Sequence, residues 1–201
     1  MEFTKSLIKG KLVKRYKRFF VDVKLSKEIV TAHCPNTGSM KGLLDAGNEV
    51  YISKNDDPKR KLKYTLEIIK AKNKLIGVNT HFANKIAQHG LSTNLIKELA
   101  NSDSIKPEVF FNKETRFDFL IEKKKQKIFV EVKNVTLCRN KEIAEFPDSV
   151  TTRGSKHLKT LIEAIKKGYK SYLLFLVQIQ DVENFKIAKD IDKEYYENYL
   201  L

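Results

Sequence analysis

Residues 116–133 combine two acidic residues and a lysine whose spacing could build a hydrolytic metal site. The segment reads RFDFLIEKKKQKIFVEVK, and apolar and polar residues alternate on both sides of a basic turn. Such alternation predicts two antiparallel strands, in which residues two apart share a face. If the turn is centred on Lys124 and Lys125, Asp118 lies directly opposite Glu131.

Two opposed carboxylates between hydrophobic strands repel each other, and a divalent cation is the simplest reason to place them together. Asp118 and Glu131 are therefore expected to hold Mg²⁺ or Mn²⁺. Lys133 shares the face of Glu131 and could bind a phosphate oxygen or polarise a nucleophilic water. The set predicts metal-assisted phosphodiester cleavage, with Asp118, Glu131 and Lys133 as its catalytic residues. The alternative is that the Glu-x-Lys pair belongs to an ordinary solvated strand face.

A third acidic residue could join this site. A strand is predicted over residues 108–111, and a tight turn near Lys113 would set Glu108 opposite Asp118. Glu108 is therefore a candidate third metal ligand, or alternatively a charge on an edge strand.

A helix is predicted within residues 146–168, FPDSVTTRGSKHLKTLIEAIKKG, and Gly168 is expected to end it. Its competent N-caps are Ser149, Thr151 and Thr152. The first turns carry Arg153, Lys156 and His157, although the positive end of the helix dipole disfavours cations there. An anion docked at that end would offset the cost, so the pattern predicts a phosphate clamp. Exposed basic residues without a ligand are the alternative.

The first 80 residues contain short predicted strands about ten residues apart, which is typical of a small all-β barrel of the oligonucleotide-binding (OB) type. The strands are predicted at 7–13, 18–25, 30–34, 49–53, 64–71 and 75–78. Residues 33–47, HCPNTGSMKGLLDAG, are rich in turn-forming residues and predict an irregular loop that could cradle an anion or simply connect strands.

Charge is concentrated in this barrel. The chain holds 39 basic and 25 acidic residues, a net charge of +14, and residues 1–80 hold 18 and 8 of them, a net of +10. A field of this sign favours a polyanionic partner, and interleaved aromatic residues are typical of nucleic-acid-binding surfaces. The residues expected to contact phosphate are Arg15, Arg18, Arg60 and Lys61 in the barrel, with Arg153 and Lys156 in the clamp. Phe19 and Phe20 are expected in the core.

Residues 81–201 show a different order: a helix, three strands, a helix and a strand. Within the helical region, Leu91, Leu95 and Leu99 are expected to continue an apolar stripe. The two cysteines, Cys34 and Cys138, lack the spacing of a zinc finger or a disulfide framework. No apolar run is long enough to span a bilayer, and the first residues lack an apolar signal core, so a cytoplasmic protein is expected.

The chain resembles the sugar fermentation stimulation protein A family. The resemblance lies in RFFVDV (18–23), HCPNTGSMKGLL (33–44), KRKLKYTLE (59–67), GVNT (77–80), RFDFL (116–120), EVKNVTL (131–137), FPDSVTTRGSKHL (146–158) and LLFLVQ (173–178). It implies an α+β chain with two domains. These are a basic OB-like barrel at residues 1–80 and an α/β domain of the PD-(D/E)XK nuclease type, a mixed sheet flanked by helices, at residues 81–201.

By that nuclease pattern, Asp118 and Glu131 hold the metal, the Val132 carbonyl is a further ligand and Lys133 is the catalytic lysine. The sequence lacks the Pro-Asp pair that precedes the hairpin in this pattern, since its aspartate follows Phe117. The first helical region offers only Glu98 as an acid, so the third ligand stays open.

The leading hypothesis is a DNA-binding protein with a metal-dependent nuclease site. The resemblance also implies a link to the regulation of sugar metabolism. The rival is therefore a non-catalytic regulator that uses the nuclease fold only to bind DNA. A phosphorylated metabolite would also fit the clamp, but the charge of the barrel argues against it. DNA or RNA, single or double strand, and oligomeric state are left open.

Overall fold

The computed structural model describes residue 3, residues 6–140 and residues 142–201, and these form two compact units. Among the described residues, the first unit comprises residue 3 and those within residues 6–81, 135–149 and 177–187. The second comprises residues 82–134, 150–176 and 188–201. Whereas the sequence prediction assigns all of residues 81–201 to one domain, the contacts group two later segments with the first unit.

Six strands form the sheet of the first unit. They are β1 Ile8–Tyr16, β2 Phe20–Lys24, β3 Ile29–His33, β4 Glu49–Lys54, β5 Tyr64–Ala71 and β6 Lys74–Gly77. Their order is β3-β2-β1-β4-β5-β6, and a parallel pairing of β3 with β5 closes the first five strands into a barrel. The predicted OB-type barrel is thereby confirmed. Its interior is apolar, with Val21, Ala32, Val50 and Ile52 fully buried.

Strand β1 pairs with β4 along its first half and with β2 along its second half. The two pairings run through residues 8–11 and 11–16, respectively. The partner changes near Gly10, where an added Cβ atom would lie 2.4 Å from Val23 Cγ1. Only glycine permits this close approach without a shift of its neighbours.

The first unit also contains three short strands that lie outside the strands predicted from sequence. They are β10 Leu137–Asn140, β11 Ile143–Phe146 and β13 Asn184–Ile187, in the order β10-β11-β13. Glu145 is almost fully buried on β11. Arg139 donates a hydrogen bond to each of its two carboxylate oxygens, at 2.8 and 2.7 Å. Lys186 adds a contact of 3.3 Å, so this buried charge is fully paired.

The second unit is built on a four-stranded sheet in the order β12-β9-β8-β7. Its strands are β7 Ser104–Phe110, β8 Arg116–Lys123, β9 Gln126–Val135 and β12 Lys170–Val177. Its helices are α1 Thr80–Ser92, α2 Thr152–Lys166 and α3 Lys193–Tyr199, with a short 3-10 helix at Lys97–Leu99. This mixed sheet with flanking helices confirms the predicted fold class.

Apolar side chains of the sheet pack on different helices. Phe119, Ile121 and Val130 form one cluster with Ala87 and Leu91 of α1. Leu120 and Phe129 form another with Leu161 and Ala164 of α2. The expectation for Leu95 is wrong, since α1 ends at Ser92 and leaves that side chain 73% exposed.

Helix α2 begins and ends as its sequence predicts. Thr151 is the N-cap, and its hydroxyl accepts a hydrogen bond from the Gly154 amide at 3.0 Å. Gly168 follows the helix with φ +87°, the left-handed conformation that glycine adopts readily. In the described part of the chain, every helix is too short or too polar to cross a membrane.

Candidate metal centre

The hairpin of β8 and β9 has the register that the sequence predicts. Phe119 pairs with Val130 and Leu120 with Phe129, so Asp118 lies on the same rung as Glu131. The Asp118 side chain continues the ladder beyond the last backbone pair, because its Oδ2 atom accepts a 2.7 Å hydrogen bond from the Val132 amide. The two carboxylates therefore meet where the backbone pairing of the strands stops.

Asp118 is partly buried and held on both oxygens. Asn84 of α1 donates from Nδ2 to its Oδ1 atom at 2.7 Å, while the Val132 amide holds the other oxygen. Burial and the negative charge of Glu131 raise the pKa of Asp118, although both hydrogen bonds and Lys133 act in the opposite direction. A raised pKa beside a second carboxylate is the electrostatic state that a bound cation would relieve.

Glu131 is only 4% exposed and is anchored through one oxygen. Its Oε1 atom contacts Lys133 Nζ at 2.8 Å and His157 Nδ1. Burial alone would raise the pKa of Glu131, but the hydrogen bonds and charges of His157 and Lys133 outweigh it and lower the pKa. The other oxygen, Oε2, is buried and has no hydrogen-bond partner among the described residues.

His157 contacts the candidate site, and its position differs from the sequence prediction. The sequence pattern groups it with the exposed basic residues of the clamp, but it is only 8% exposed and faces Glu131. Its spacing contains the signal: His157 lies next to Leu158 and one helical turn before Leu161, so it belongs to the buried face of α2. Asn84 has no comparable signal, because it is an uncharged residue 34 positions from Asp118.

Glu108 has the predicted register but a different partner. Pro107 pairs with Phe119 and Val109 with Phe117, which places Glu108 level with Asp118. Its backbone turns to φ +55° there, and its Oε2 atom forms a 2.8 Å ion pair with Arg116 Nε. Across residues 3, 6–140 and 142–201, no three His, Cys, Asp or Glu side chains are grouped as metal ligands.

The predicted phosphate-contacting residues are held in different ways. Arg153 is exposed in the first turn of α2, and Lys156 forms an exposed ion pair of 2.7 Å with Glu114.

In the barrel, Arg15 donates to the carbonyl oxygens of Arg18, Asn36 and Gly38 at 3.1, 2.8 and 3.0 Å, and thus anchors the loop at residues 33–47. Arg60 donates to Thr65 at 2.9 Å, whereas Arg18 and Lys61 are exposed at the barrel surface.

An OB barrel followed by a mixed-sheet α/β domain defines the class of protein. Residues 13–78 match the family described as SfsA N-terminal OB domain, and residues 81–200 match the sugar fermentation stimulation protein RE domain. The chain belongs to the sugar fermentation stimulation protein (SfsA) family.

Relatives match over nearly the whole chain. A sugar fermentation stimulation protein homolog of Pelagibacter ubique (strain HTCC1062) is 84% identical over 201 residues, which cover 100% of this chain and 87% of that protein. The homolog of Maricaulis maris (strain MCS10) is 46% identical over 97% of this chain and 84% of its own length. A solved structure, of Pyrococcus furiosus SfsA in complex with Ca²⁺, has a TM-score of 0.90 and 28% identity, over 100% of this chain and 84% of that one.

Proposed function

We propose that this protein binds DNA and that its second unit hydrolyses phosphodiester bonds with a divalent cation. The observation that carries the proposal is Glu131 Oε2, a buried carboxylate oxygen without a hydrogen-bond partner among the described side chains, on the same rung as Asp118. Native proteins rarely leave such an atom unpaired, and an absent ion is one of the few physical reasons for it.

The residues present fit a hard cation. Mg²⁺, Mn²⁺ and Ca²⁺ prefer oxygen ligands, and carboxylates supply both charge and geometry. Asp118 and Glu131 would hold the ion, and the Val132 carbonyl is a further candidate. The related structure of Pyrococcus furiosus SfsA was solved with Ca²⁺, which supports a divalent cation here. Glu108 would have to leave Arg116 to join them as a third ligand.

A bound cation would polarise a phosphoryl oxygen and lower the pKa of a water molecule. The protein's own side chains prepare the site for that chemistry. Asn84 and the Val132 amide fix the orientation of Asp118. His157 and Lys133 hold Glu131 through one oxygen and leave the other available.

Lys133 has a second role in the proposal. An ammonium group has three N–H donors, and the ion pair with Glu131 uses one of them. A remaining donor could bind a phosphate oxygen or orient the attacking water. Positive charge there would stabilise the additional negative charge of the transition state.

The proposed nucleic acid partner follows from charge and fold. A net charge of +14 in a chain with an OB domain favours a phosphate backbone as ligand. We propose phosphate contacts for Arg18, Arg60, Lys61, Arg153 and Lys156. Arg15 is tied to its own loop by three hydrogen bonds, so a phosphate would have to compete with those carbonyl oxygens.

A second candidate function is DNA binding without cleavage, as in a regulator. It is favoured by the ion pair of Glu108 with Arg116 and by the lack of any group of three ligating side chains in the described residues. Two carboxylates with waters could hold a cation too weakly to support catalysis.

Cleavage assays distinguish the two functions. Labelled single- and double-stranded DNA is incubated with Mg²⁺, Mn²⁺ or EDTA, using the wild type and Lys133→Ala. Lys127→Ala is the matched control, because Lys127 is an exposed lysine on the same strand. Hydrolysis requires cutting that depends on the cation, is lost in Lys133→Ala and is retained in Lys127→Ala. Binding without cutting under every condition would establish the non-catalytic function instead.

A calorimetric titration tests the metal ligands without relying on activity. Glu131→Gln is expected to weaken Mn²⁺ binding about tenfold or more, because it replaces a charged ligand with a neutral one. Unchanged Mn²⁺ affinity in this variant would show that the ion, if bound, lies elsewhere.

A further inference from the structure

The outer surface of the barrel carries a row of ring side chains that crosses neighbouring strands. Tyr16 of β1 pairs with Phe20 of β2, and Phe20 pairs with His33 of β3. The pairing of β3 with β5 places Thr65, which is buried, beside His33. Because Val21 is fully buried in the barrel, strand alternation directs its neighbour Phe20 outward. We call Tyr16, Phe20 and His33, which are all half-buried, the outer row.

Tyr16 and Phe20 of the outer row are held in place by contacts within the barrel. Tyr16 and Phe20 are stacked, with ring centroids 5.4 Å apart and planes 13° apart. The Tyr16 hydroxyl donates to Asp22 Oδ1 at 3.2 Å, and the Thr31 hydroxyl donates to the same oxygen at 2.8 Å. A surface that is already ordered loses little conformational entropy on binding.

Positive groups lie at both ends of the row. Lys14 Nζ lies 5.5 Å from the centre of the Tyr16 ring. At the other end, Arg60 donates to Thr65, and the ring of His81 lies 6.5 Å from that of His33. Burial, followed by the charges of Arg60 and His81, lowers the pKa of His33, which favours the neutral imidazole. The uncharged rings of the row therefore lie between Lys14 and Arg60.

Phe19 extends this surface, contrary to its predicted place in the core. It lies in the short turn between β1 and β2, and its side chain is 46% exposed. Its carbonyl accepts a 2.7 Å hydrogen bond from the Cys34 amide, which fixes it beside the end of β3. The neighbouring Arg18 is also exposed.

We propose that Phe19 and the outer row bind a single-stranded nucleic acid, whose bases stack on the rings while Lys14, Arg18 and Arg60 hold its phosphates. This deepens the proposed function, and it rests on that proposal only in taking the partner to be a nucleic acid. Two interstrand spacings make the row about 10 Å long, which is enough for more than one nucleotide. Duplex bases hide their faces from such rings, whereas single strands expose them.

The location within the barrel supports this assignment. Phe19 belongs to the connection of β1 with β2, and Arg60 to the connection of β4 with β5. These two connections border the surface on which OB barrels bind extended ligands. The outer row lies between them, since its pairings run from β1 through β2 to β3, and β3 pairs in turn with β5.

Fluorescence anisotropy with the full chain tests the proposal. EDTA is included because it chelates divalent cations, so that the proposed cleavage does not affect the measured binding. The probes are a labelled deoxythymidine oligonucleotide of about 12 nucleotides, the matching uridine oligonucleotide and a duplex of the same length. Phe19→Ala is expected to raise the Kd for the single strands about tenfold and to leave duplex binding within about twofold. Phe19→Tyr, which keeps a ring, is expected to bind single strands within about twofold of the wild type.

Two matched controls separate stacking from charge. Ile29→Ala removes a 61% exposed apolar side chain at the other end of β3 and should leave every affinity unchanged. Arg60→Ala should lower the slope of log K against log salt by about 0.7 for single strands, whereas Phe19→Ala should not change that slope. Thermal melts of each variant verify that the barrel is folded.

Three results would overturn the proposal. They are no measurable binding of either single strand by the wild type, equal effects of Phe19→Ala and Ile29→Ala, and an equal loss of duplex and single-strand binding in Phe19→Ala. Preference for the deoxythymidine or the uridine probe decides between DNA and RNA as the source of the strand. If the proposed hydrolysis is wrong, the cleavage assay will show no cation-dependent cutting, while the binding results in EDTA will be unaffected.

Discussion

Asp118 and Glu131 are neighbours with opposite electrostatic surroundings, so neutralising each should change stability in opposite directions. The pKa of Asp118 is raised, mainly by burial and by Glu131, whereas that of Glu131 is lowered despite burial because His157 and Lys133 pair with it. In the metal-free protein at pH 7, we expect Asp118→Asn to stabilise the fold and Glu131→Gln to destabilise it.

The magnitudes follow from the charges involved. Side chains directly opposed on a rung lie about 5 Å apart, and two negative charges at that separation repel by roughly 3 kcal/mol in an effective dielectric of about 20. In Asp118→Asn, the new amide keeps only one acceptor for the two hydrogen bonds that the carboxylate accepts, which costs about 1 kcal/mol. Asp118→Asn should therefore raise the free energy of unfolding by about 1–2 kcal/mol. Glu131→Gln breaks a buried pair and should lower it by about 2 kcal/mol or more.

Both effects should fade in acid. Because folding raises the pKa of Asp118, its protonated form stabilises the fold at pH values below the unfolded-state pKa, near 3.8. That contribution is lost as the pH rises through the folded-state pKa. Because folding lowers the pKa of Glu131, its ionised form stabilises the fold at pH values above the unfolded-state pKa, near 4.5. That contribution is lost as the pH falls through the folded-state pKa. The variants should therefore approach the wild type as the pH falls from about 7 towards and below about 4.

Urea denaturation in EDTA, followed by circular dichroism at several pH values, measures these changes. A change of about 1–2 kcal/mol shifts the midpoint by roughly 0.5–1 M urea. The matched control is Asp192→Asn, a buried aspartate that accepts the Thr151 and Tyr195 amides at 2.8 and 2.9 Å. It should lose about 1 kcal/mol, because an amide retains only one acceptor.

Adding Mn²⁺ should reverse the order of the wild type and Asp118→Asn. A ligand at about 100 times its Kd stabilises the folded state by about 2.7 kcal/mol, and only the wild type keeps both carboxylates. If Asp118→Asn is less stable than the wild type by more than about 1 kcal/mol in EDTA at pH 7, the repulsion between the two carboxylates is not the dominant effect at this site.

Three further perturbations test other parts of the chain. Glu145→Gln should cost about 3 kcal/mol in urea denaturation, because it leaves Arg139 without its buried carboxylate partner, and a loss below about 1 kcal/mol would contradict this. Gly10→Ala should lower the melting temperature, since its Cβ would lie 2.4 Å from Val23 Cγ1, whereas Gly90→Ala in α1, with open space around it, should be neutral or stabilising. Equal effects of these two substitutions would refute the packing argument. Raising salt from about 50 to 200 mM should weaken DNA binding about tenfold or more in anisotropy titrations, and a smaller change would show that phosphate contacts contribute little.

Strand positions and the hairpin register were predictable because they depend on neighbouring residues. The alternation on either side of Lys124 and Lys125 fixes which side chains share a face, and the turn fixes which residues oppose each other. The same logic places the six strands of the first sheet, although β1 extends to Tyr16 rather than ending at residue 13. Its extension depends on pairing with β2, which a local pattern does not show.

The environment of individual side chains was less predictable. Phe19 and Phe20 are adjacent aromatic residues in one segment, and composition alone suggests that both are buried. The β1–β2 turn leaves Phe19 exposed and directs Phe20 to the outer face. Whether an aromatic residue lies inside or outside a small barrel depends on where the turn falls, and a shift of one residue exchanges the two faces.

Local sequence was enough to predict that Asp118 and Glu131 are opposed and that Lys133 shares their face, because strand geometry repeats every two residues. The groups that hold these charges depend instead on long-range packing. Asn84 reaches Asp118 from α1, 34 residues away, and His157 reaches Glu131 from α2, 26 residues away. Those contacts exist because each helix packs an apolar face on the sheet, and the position of that packing depends on the whole second unit rather than on any local pattern.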